Sequence, residues 1–234
     1  MKTVEIRGRI VSNDDASMYD LYKSMYDWFN VDYTSPAAVF AAVDSLDDGE
    51  ELTVIINSGG GDVFSGQEMY SMLKKASASH KITVEVLSIA ASAASIIAMA
   101  GGVVKMSPSS ELMIHNASTV AAGDYREMLQ TAEVLQAIDD SIRQAYSLKT
   151  GMTDEELKPL MDEETWFPAK RCLKDGFADE IICDEKKRTV TNSIVEEGSI
   201  FDNLVTRAKI EMKKQKETKN EKDEILDNLY LYGF

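Results

Sequence analysis

The sequence predicts an α/β fold, on three observations. Apolar, β-branched runs at 52–57 and 82–89 alternate with segments of helical spacing. A glycine run, Gly59-Gly60-Gly61-Asp62, closes the first of those runs as a turn before a helix. The composition, 44% hydrophobic and 28% charged over 234 residues, suits a globular chain that buries one full core with a small appendage.

Taken in order, residues 4–11 alternate apolar and polar, as a half-exposed first strand does. Residues 15–29 read as a helix, with Met18, Leu21, Tyr22, Met25 and Trp28/Phe29 along one side. Ser35-Pro36 starts a helix that runs to about Leu46, serine as N-cap and proline in the first position. Asp47-Asp48-Gly49 turns the chain into the strand 51–57. Ser65-Gly66-Gln67-Glu68 matches a capping box, with Met69, Met72 and Leu73 on the buried side of its helix. Residues 82–89 form a β-branched strand, and the small apolar run 92–100 forms a buried helix ending at Gly101-Gly102.

Short strands follow at 103–106 and 111–115, around Ser107-Pro108. The longest helix is 124–148, where Tyr125, Met128, Ala132, Leu135, Ile138, Ile142 and Ala145 keep helical spacing. Thr153-Asp154-Glu155-Glu156 is a second capping box. Phe167-Pro168 opens a last helix that stops at Gly176, before a strand over 177–182.

Charge divides the chain. Residues 1–185 carry 15 basic and 31 acidic side chains, residues 186–234 carry 10 and 9, and the net charge is −15. An acidic body argues against a nucleic-acid surface. The expected organisation is a folded body over 1–184 and a charged, partly helical or flexible tail over 185–234 with an apolar tip at 225–234. No stretch of eighteen apolar residues is free of charge, so no membrane span is expected. The first residues lack a signal-peptide core, which implies a cytoplasmic protein. Cys172 and Cys183 are expected as free thiols, and no Cys/His metal spacing occurs. Neither a metal nor a cofactor is expected.

Three segments hold the residue types of a serine hydrolase. Of the two histidines, His80 lies in a polar connection, whereas His115 ends a buried-looking strand and can face a cleft. Ser92 stands at the mouth of the small-residue helix, within reach of a base in such an arrangement. Glycines at 60 and 61 let backbone N–H groups approach a developing oxyanion, because no Cβ stands in the way. Each part alone has a structural explanation: close helix packing for Ser92, a satisfied strand-end side chain for His115. Their combination carries the reading.

Asn57-Ser58-Gly59-Gly60-Gly61-Asp62, Ala90-Ala91-Ser92-Ala93-Ala94-Ser95 and Met113-Ile114-His115 resemble the motifs of the ClpP (Clp-type) serine protease family, over about residues 4–183. The resemblance implies a ClpP/crotonase-like fold of repeated β-β-α units with a long interface helix. It makes Ser92 the nucleophile, with Ser95 as the alternative, and His115 the general base. Counting back from Ala169 puts Glu164 at the position of the acid, with Asp162 as the fallback. The backbone N–H groups of Gly60, Gly61 and Ala93 would form the oxyanion hole. Gly59 departs from the family, whose members usually have proline there. The segments around Asp62, Val63 and Asn116 would hold substrate peptide as an added strand.

The resemblance further implies a homo-oligomer, a heptameric ring or double ring with the helix 124–148 at the ring contact, and a protein or peptide substrate. Housekeeping members work with a partner ATPase. The Gly-Asp pair after the glycines, the Ala-Ser-rich run, Glu164-Thr165-Trp166-Phe167 and the charged tail are most similar to Clp-related proteases that process phage and prophage capsid proteins. On that reading the substrates are capsid or scaffold proteins, and the setting is the bacterial host cytoplasm or the phage prohead. A noncatalytic ring or scaffold component and a crotonase-type acyl-CoA enzyme are the alternatives of other classes.

Overall fold

Parallel pairing of long, doubly covered strands organises this chain. The structure, a computed structural model, describes residues 1–25 and 31–182. The expectations for Trp28/Phe29, Cys183 and the tail over 185–234 fall outside the described residues. The elements are β1 (Lys2–Ile10), α1 (Asn13–Met25), β2 (Tyr33–Thr34), α2 (Pro36–Asp44), β3 (Leu52–Gly61), α3 (Val63–Ala76), β4 (Ile82–Ala91) and α4 (Ala93–Ala98). Then come β5 (Val103–Met106), β6 (Glu111–Ile114), α5 (Tyr125–Thr150), α6 (Asp154–Asp162), β7 (Thr165–Pro168), α7 (Ala169–Lys174) and β8 (Glu180–Ile181). The class is α/β, as the alternating pattern predicts.

The eight-stranded sheet runs β2-β1-β3-β4-β5-β8, with β6 and β7 branching from β4. Every pair is parallel except β6 with β7. A parallel sheet is covered on both faces, so its central strands are apolar nearly throughout. Leu52, Val54, Ile56, Val84 and Val86 are fully buried and share one core with Met69 and Leu73 of α3 and with α4. Each such side chain contributes roughly 1.5–3 kcal/mol by leaving water.

The sheet forks at β4. Its first half, Thr83 to Val86, pairs with β5, and its last residues, Ile89 to Ala91, pair with β6. The fork leaves an opening at the carboxyl end of β4, where the chain enters α4.

Three expectations are corrected. The glycine run is not a turn: β3 continues through Gly61, and Gly60 and Gly61 pair with Arg9 and Ile10 of β1 after a register shift. A Cβ at Gly61, where φ is +152°, would lie 2.1 Å from the Ile10 carbonyl oxygen, so the glycine permits strand contact rather than a bend. The N-cap of α3 is Asp62, whose carboxylate accepts from Ser65 N–H, so the helix starts before the expected capping box. Phe167-Pro168 belongs to β7, which pairs antiparallel with β6, and only then does α7 begin. The helix α1 forms where the spacing predicts one, and it buries none of its residues: Met18, Leu21 and Met25 are more than half exposed.

The long helix forms as its spacing predicts. Asp124 and Glu127 close a capping box, and Gly151 ends α5 in the left-handed conformation at φ 75°. Its burial is confined to the second half, at Ile142, Arg143, Ala145 and Tyr146. Arg143 pairs with Asp140 on its own helix and with Asp154 of α6, joining the two helices. No helix among the described residues is long and apolar enough to cross a membrane.

Cys172 is a free, fully buried thiol that donates to the Phe167 carbonyl, and burial pushes its ionisation up to about 12. Reactivity follows thiolate and access. Iodoacetamide at pH 8 will therefore leave Cys172 unmodified in the native protein and alkylate it after denaturation, as peptide mapping by mass spectrometry reads. Gly61→Ala will destabilise the fold by about 2 kcal/mol or more, because the Cβ meets backbone that cannot yield; the melting temperature checks this.

Candidate active site

Ser92 stands where β4 leaves the sheet, as the N-cap of α4. Its N–H donates to the Met113 carbonyl of β6 at 3.0 Å. Its backbone, at φ 54° and ψ −126°, lies in a region that a non-glycine residue avoids. Such a conformation costs on the order of 1–3 kcal/mol and persists only where the surroundings enforce it. Here it turns the hydroxyl out of the sheet and into the opening at the fork.

His115 is the residue after β6, and the pairing of Ala91 with Met113 brings the ends of β4 and β6 level. Nε2 of His115 lies 2.8 Å from Ser92 Oγ. The next strand supplies the carboxylate. β7 runs antiparallel to β6 with Ile114 opposite Thr165, so the residues just beyond that pair, His115 and Glu164, also face each other. Glu164 Oε2 is 3.6 Å from His115 Nδ1, an ion-pair separation longer than a direct hydrogen bond. Glu164 has φ 48° and its Oε1 accepts from the Trp166 indole N–H at 3.3 Å. Two of the three side chains thus sit on residues with strained backbone.

The alternatives from the sequence lie elsewhere. Asp162 accepts from Asn116 Nδ2 at 2.8 Å. Ser95 is fully buried, and its hydroxyl bonds the Ser92 carbonyl oxygen and the Tyr146 hydroxyl. His80 places Nδ1 3.0 Å from the Glu50 carbonyl oxygen in a loop far along the sheet.

Gly60 packs directly behind the hydroxyl. At its φ of +93°, a Cβ would lie 2.7 Å from Ser92 Cβ and 3.0 Å from Ala93 N. Its N–H is not free: it donates to Ser58 Oγ at 3.1 Å, and Ser58 in turn donates to the Gly8 carbonyl. Ala93 N–H is the first of α4, where a helix offers no internal acceptor. Gly61, Asp62, Val63 and Asn116 line the same cleft as Ser92, Ala93 and His115. The Asp62 carboxylate accepts from Ser65 N–H and Ser65 Oγ at 2.8 and 2.6 Å.

The cleft has a volume of about 840 Å³. Its apolar side is Ile96 with Leu135, Ile138 and Ile142 of α5, and its polar rim includes Arg9, Asp15 and Tyr19. The loop after His115 is tied down twice, by Asn116 to Asp162 and by Ala117 N–H to Asp139 Oδ1 at 2.7 Å. Burial pushes the Asp139 carboxyl up, against the opposing influence of that hydrogen bond and of Arg143.

Sequence reasoning missed Asp139, Tyr146 and the contribution of α1 to the rim. Asp139 and Tyr146 sit in an ordinary amphipathic pattern, and nothing local distinguishes them from neighbours. The residues of α1 read only as a helix with an apolar side, a pattern that carries no information on which cleft it borders.

Comparison with known proteins identifies the family. A family model described as Clp protease matches residues 13–185. The ATP-dependent Clp protease proteolytic subunit of Bacteroides fragilis is 28% identical over 155 residues, 64% of this chain and 74% of that protein. The subunit of the same description from Deinococcus radiodurans is 28% identical over 151 residues, 63% and 72% of the two chains. The ATP-dependent Clp protease proteolytic subunit 2 of Thermobifida fusca is 28% identical over 134 residues, 56% and 65%. With a match that spans most of its length, the chain belongs to the Clp protease family of serine-type peptidases.

Proposed function

We propose that this protein cleaves peptide bonds through Ser92, His115 and Glu164 by way of an acyl-enzyme. The observation that carries the proposal is the 2.8 Å contact between Ser92 Oγ and His115 Nε2 at two strand ends held level by the sheet. A serine hydroxyl is a weak nucleophile until a neighbouring base takes its proton. His115 accepts that proton as Oγ attacks the scissile carbonyl carbon. Glu164 orients the ring through Nδ1 and stabilises the imidazolium. The carbonyl oxygen, now negative, is received by Ala93 N–H, with the Gly60-Gly61 backbone as the second wall. For Gly60 N–H to donate as well, it must leave Ser58 Oγ. His115 then protonates the departing amine, and water attacks the acyl-enzyme by the same route.

The substrate is an extended polypeptide lying between the backbone at Asp62 and Val63 and the loop at Asn116, with a side chain in the apolar part of the cleft. The narrower reading is maturation of phage or prophage capsid proteins within a homo-oligomeric ring, the tail over 185–234 serving as a tether. Its support is the likeness of Gly61-Asp62, the Ala-Ser-rich run and Glu164-Thr165-Trp166-Phe167 to that group. A second reading, a housekeeping proteolytic subunit fed by an ATPase, is favoured by the descriptions that the relatives carry.

Ser92→Ala will lower kcat for a peptide substrate by about a million-fold, and His115→Ala by a similar factor. Glu164→Gln will cost about a hundred-fold, less than the roughly ten-thousand-fold of a buried orienting carboxylate, because the Glu164 side chain is 57% exposed. Steady-state kinetics and fluorophosphonate labelling check all three; undiminished labelling of Ser92→Ala would remove the nucleophile. Co-expression with a cognate major capsid protein tests the narrower reading. A shortened capsid protein with the active enzyme, and a full-length one with Ser92→Ala, is the expected result. Unchanged mass in both, together with ATPase-dependent degradation of an unfolded protein, would replace it by the second reading.

A further inference from the structure

Ser95 and Tyr146 form a pair of fully buried hydroxyls beneath the candidate active site. Ser95 Oγ donates to the Ser92 carbonyl oxygen at 2.6 Å and lies 2.8 Å from Tyr146 OH. A serine hydroxyl has one proton, and Ser95 spends it on Ser92. Tyr146 must then be the donor in the second contact, so the chain of bonds runs from α5 through Ser95 to the backbone of Ser92. Burial raises the ionisation of the Tyr146 phenol, which keeps it a donor at any ordinary pH.

The bond that Ser95 makes acts on one particular peptide unit. The carbonyl of Ser92 and the N–H of Ala93 belong to the same planar group and point in opposite directions. Gripping the oxygen therefore fixes where that N–H aims. The Ser92 oxygen also accepts from Ser95 N–H at 2.9 Å and, more weakly, from Ile96 N–H at 3.4 Å. Both of these backbone donors lie within α4 or at its first turn, whereas the Tyr146 hydroxyl reaches the Ser95 hydroxyl from a separate element, α5. Packing does not require the hydroxyls. Alanine would fill position 95 within a run of buried alanines, and phenylalanine would fill position 146 against Phe177, whose ring centroid lies 6.0 Å away.

We propose that Tyr146 and Ser95 are positioning residues that hold the Ser92–Ala93 peptide plane, so that Ala93 N–H is aimed at the developing oxyanion. The inference rests on the reading of Ser92 as nucleophile and Ala93 as oxyanion donor. It gives α5 a second role, as the element that carries the strut under the nucleophile.

The test uses the full chain, with Tyr146→Phe, Ser95→Ala, the double variant and Ser92→Ala measured together. The readouts are kcat and KM on a fluorogenic peptide, and affinities for a peptide aldehyde, which forms a tetrahedral adduct, and for the matching product peptide. Losing an oxyanion donor outright costs about a hundred- to a thousand-fold in kcat, and misaiming one costs less. Each single variant is expected to lower kcat about ten-fold with KM within about two-fold of the parent. Aldehyde affinity should fall in step with kcat while product-peptide affinity holds. The double variant should lose no more than the worse single one, because the two hydroxyls act in series. Unchanged kcat and aldehyde affinity in both single variants, with Ser92→Ala inactive, would overturn the strut and leave the nucleophile standing. An equal loss of aldehyde and product-peptide affinity would also overturn it, as the mark of a general packing defect. Full activity in Ser92→Ala would overturn the nucleophile itself, and the strut with it.

Discussion

The division of β4 between two partners is the constraint from which the site follows. A strand in a continuous sheet keeps the same neighbours to its end, and its last residue has no particular place to go. Here β5 accompanies β4 only as far as Val86, and β6 takes over at Ile89. The carboxyl end of β4 therefore emerges beside the end of β6, not beside β5. Ligands in open α/β sheets collect where neighbouring strands part in this way. Ser92 and His115 are the first residues past those two ends, and their contact is a consequence of register.

The same logic extends one strand further. β7 joins β6 antiparallel, so the chain approaches the site from the opposite direction and delivers Glu164 opposite His115. Three side chains from distant parts of the sequence are thus aligned by two strand pairings, with backbone hydrogen bonds setting the spacing. The local cost appears as positive φ at Ser92 and Glu164. That cost is small beside the burial of the central strands, and the ladder on either side makes relaxation more expensive than strain. The buried hydroxyl of Ser95, itself in contact with the Tyr146 hydroxyl, continues the same theme by holding the Ser92 peptide group at its oxygen.

Cα geometry and close approach explain the glycines. Gly60 sits against Ser92, and Gly61 against the backbone of Ile10. The sequence pattern suggested a turn because three glycines in a row usually make one. What decided otherwise was β1, whose Arg9 and Ile10 extend beside them as a neighbouring strand. The capping residue of α3 shifted for the same reason: once β3 runs to Gly61, Asp62 is the first residue free to cap.

Local chemistry determined much of this protein from its order of residues alone. The alternation of apolar strands and helical segments, the long helix from 124 and the capping box at Thr153 rest on short-range pattern, and the resemblance of spaced motifs singled out Ser92 and His115, with Glu164 or Asp162 as the carboxylate. Only tertiary structure decided which carboxylate meets the histidine, that the glycines lie in a strand, that β7 exists, and that α1 borders the cleft. Each of these depends on pairing between segments far apart in the chain. Hydrogen-bond register between such segments has no local signature, because any two extended stretches can in principle pair, and only the packed sheet selects one alignment.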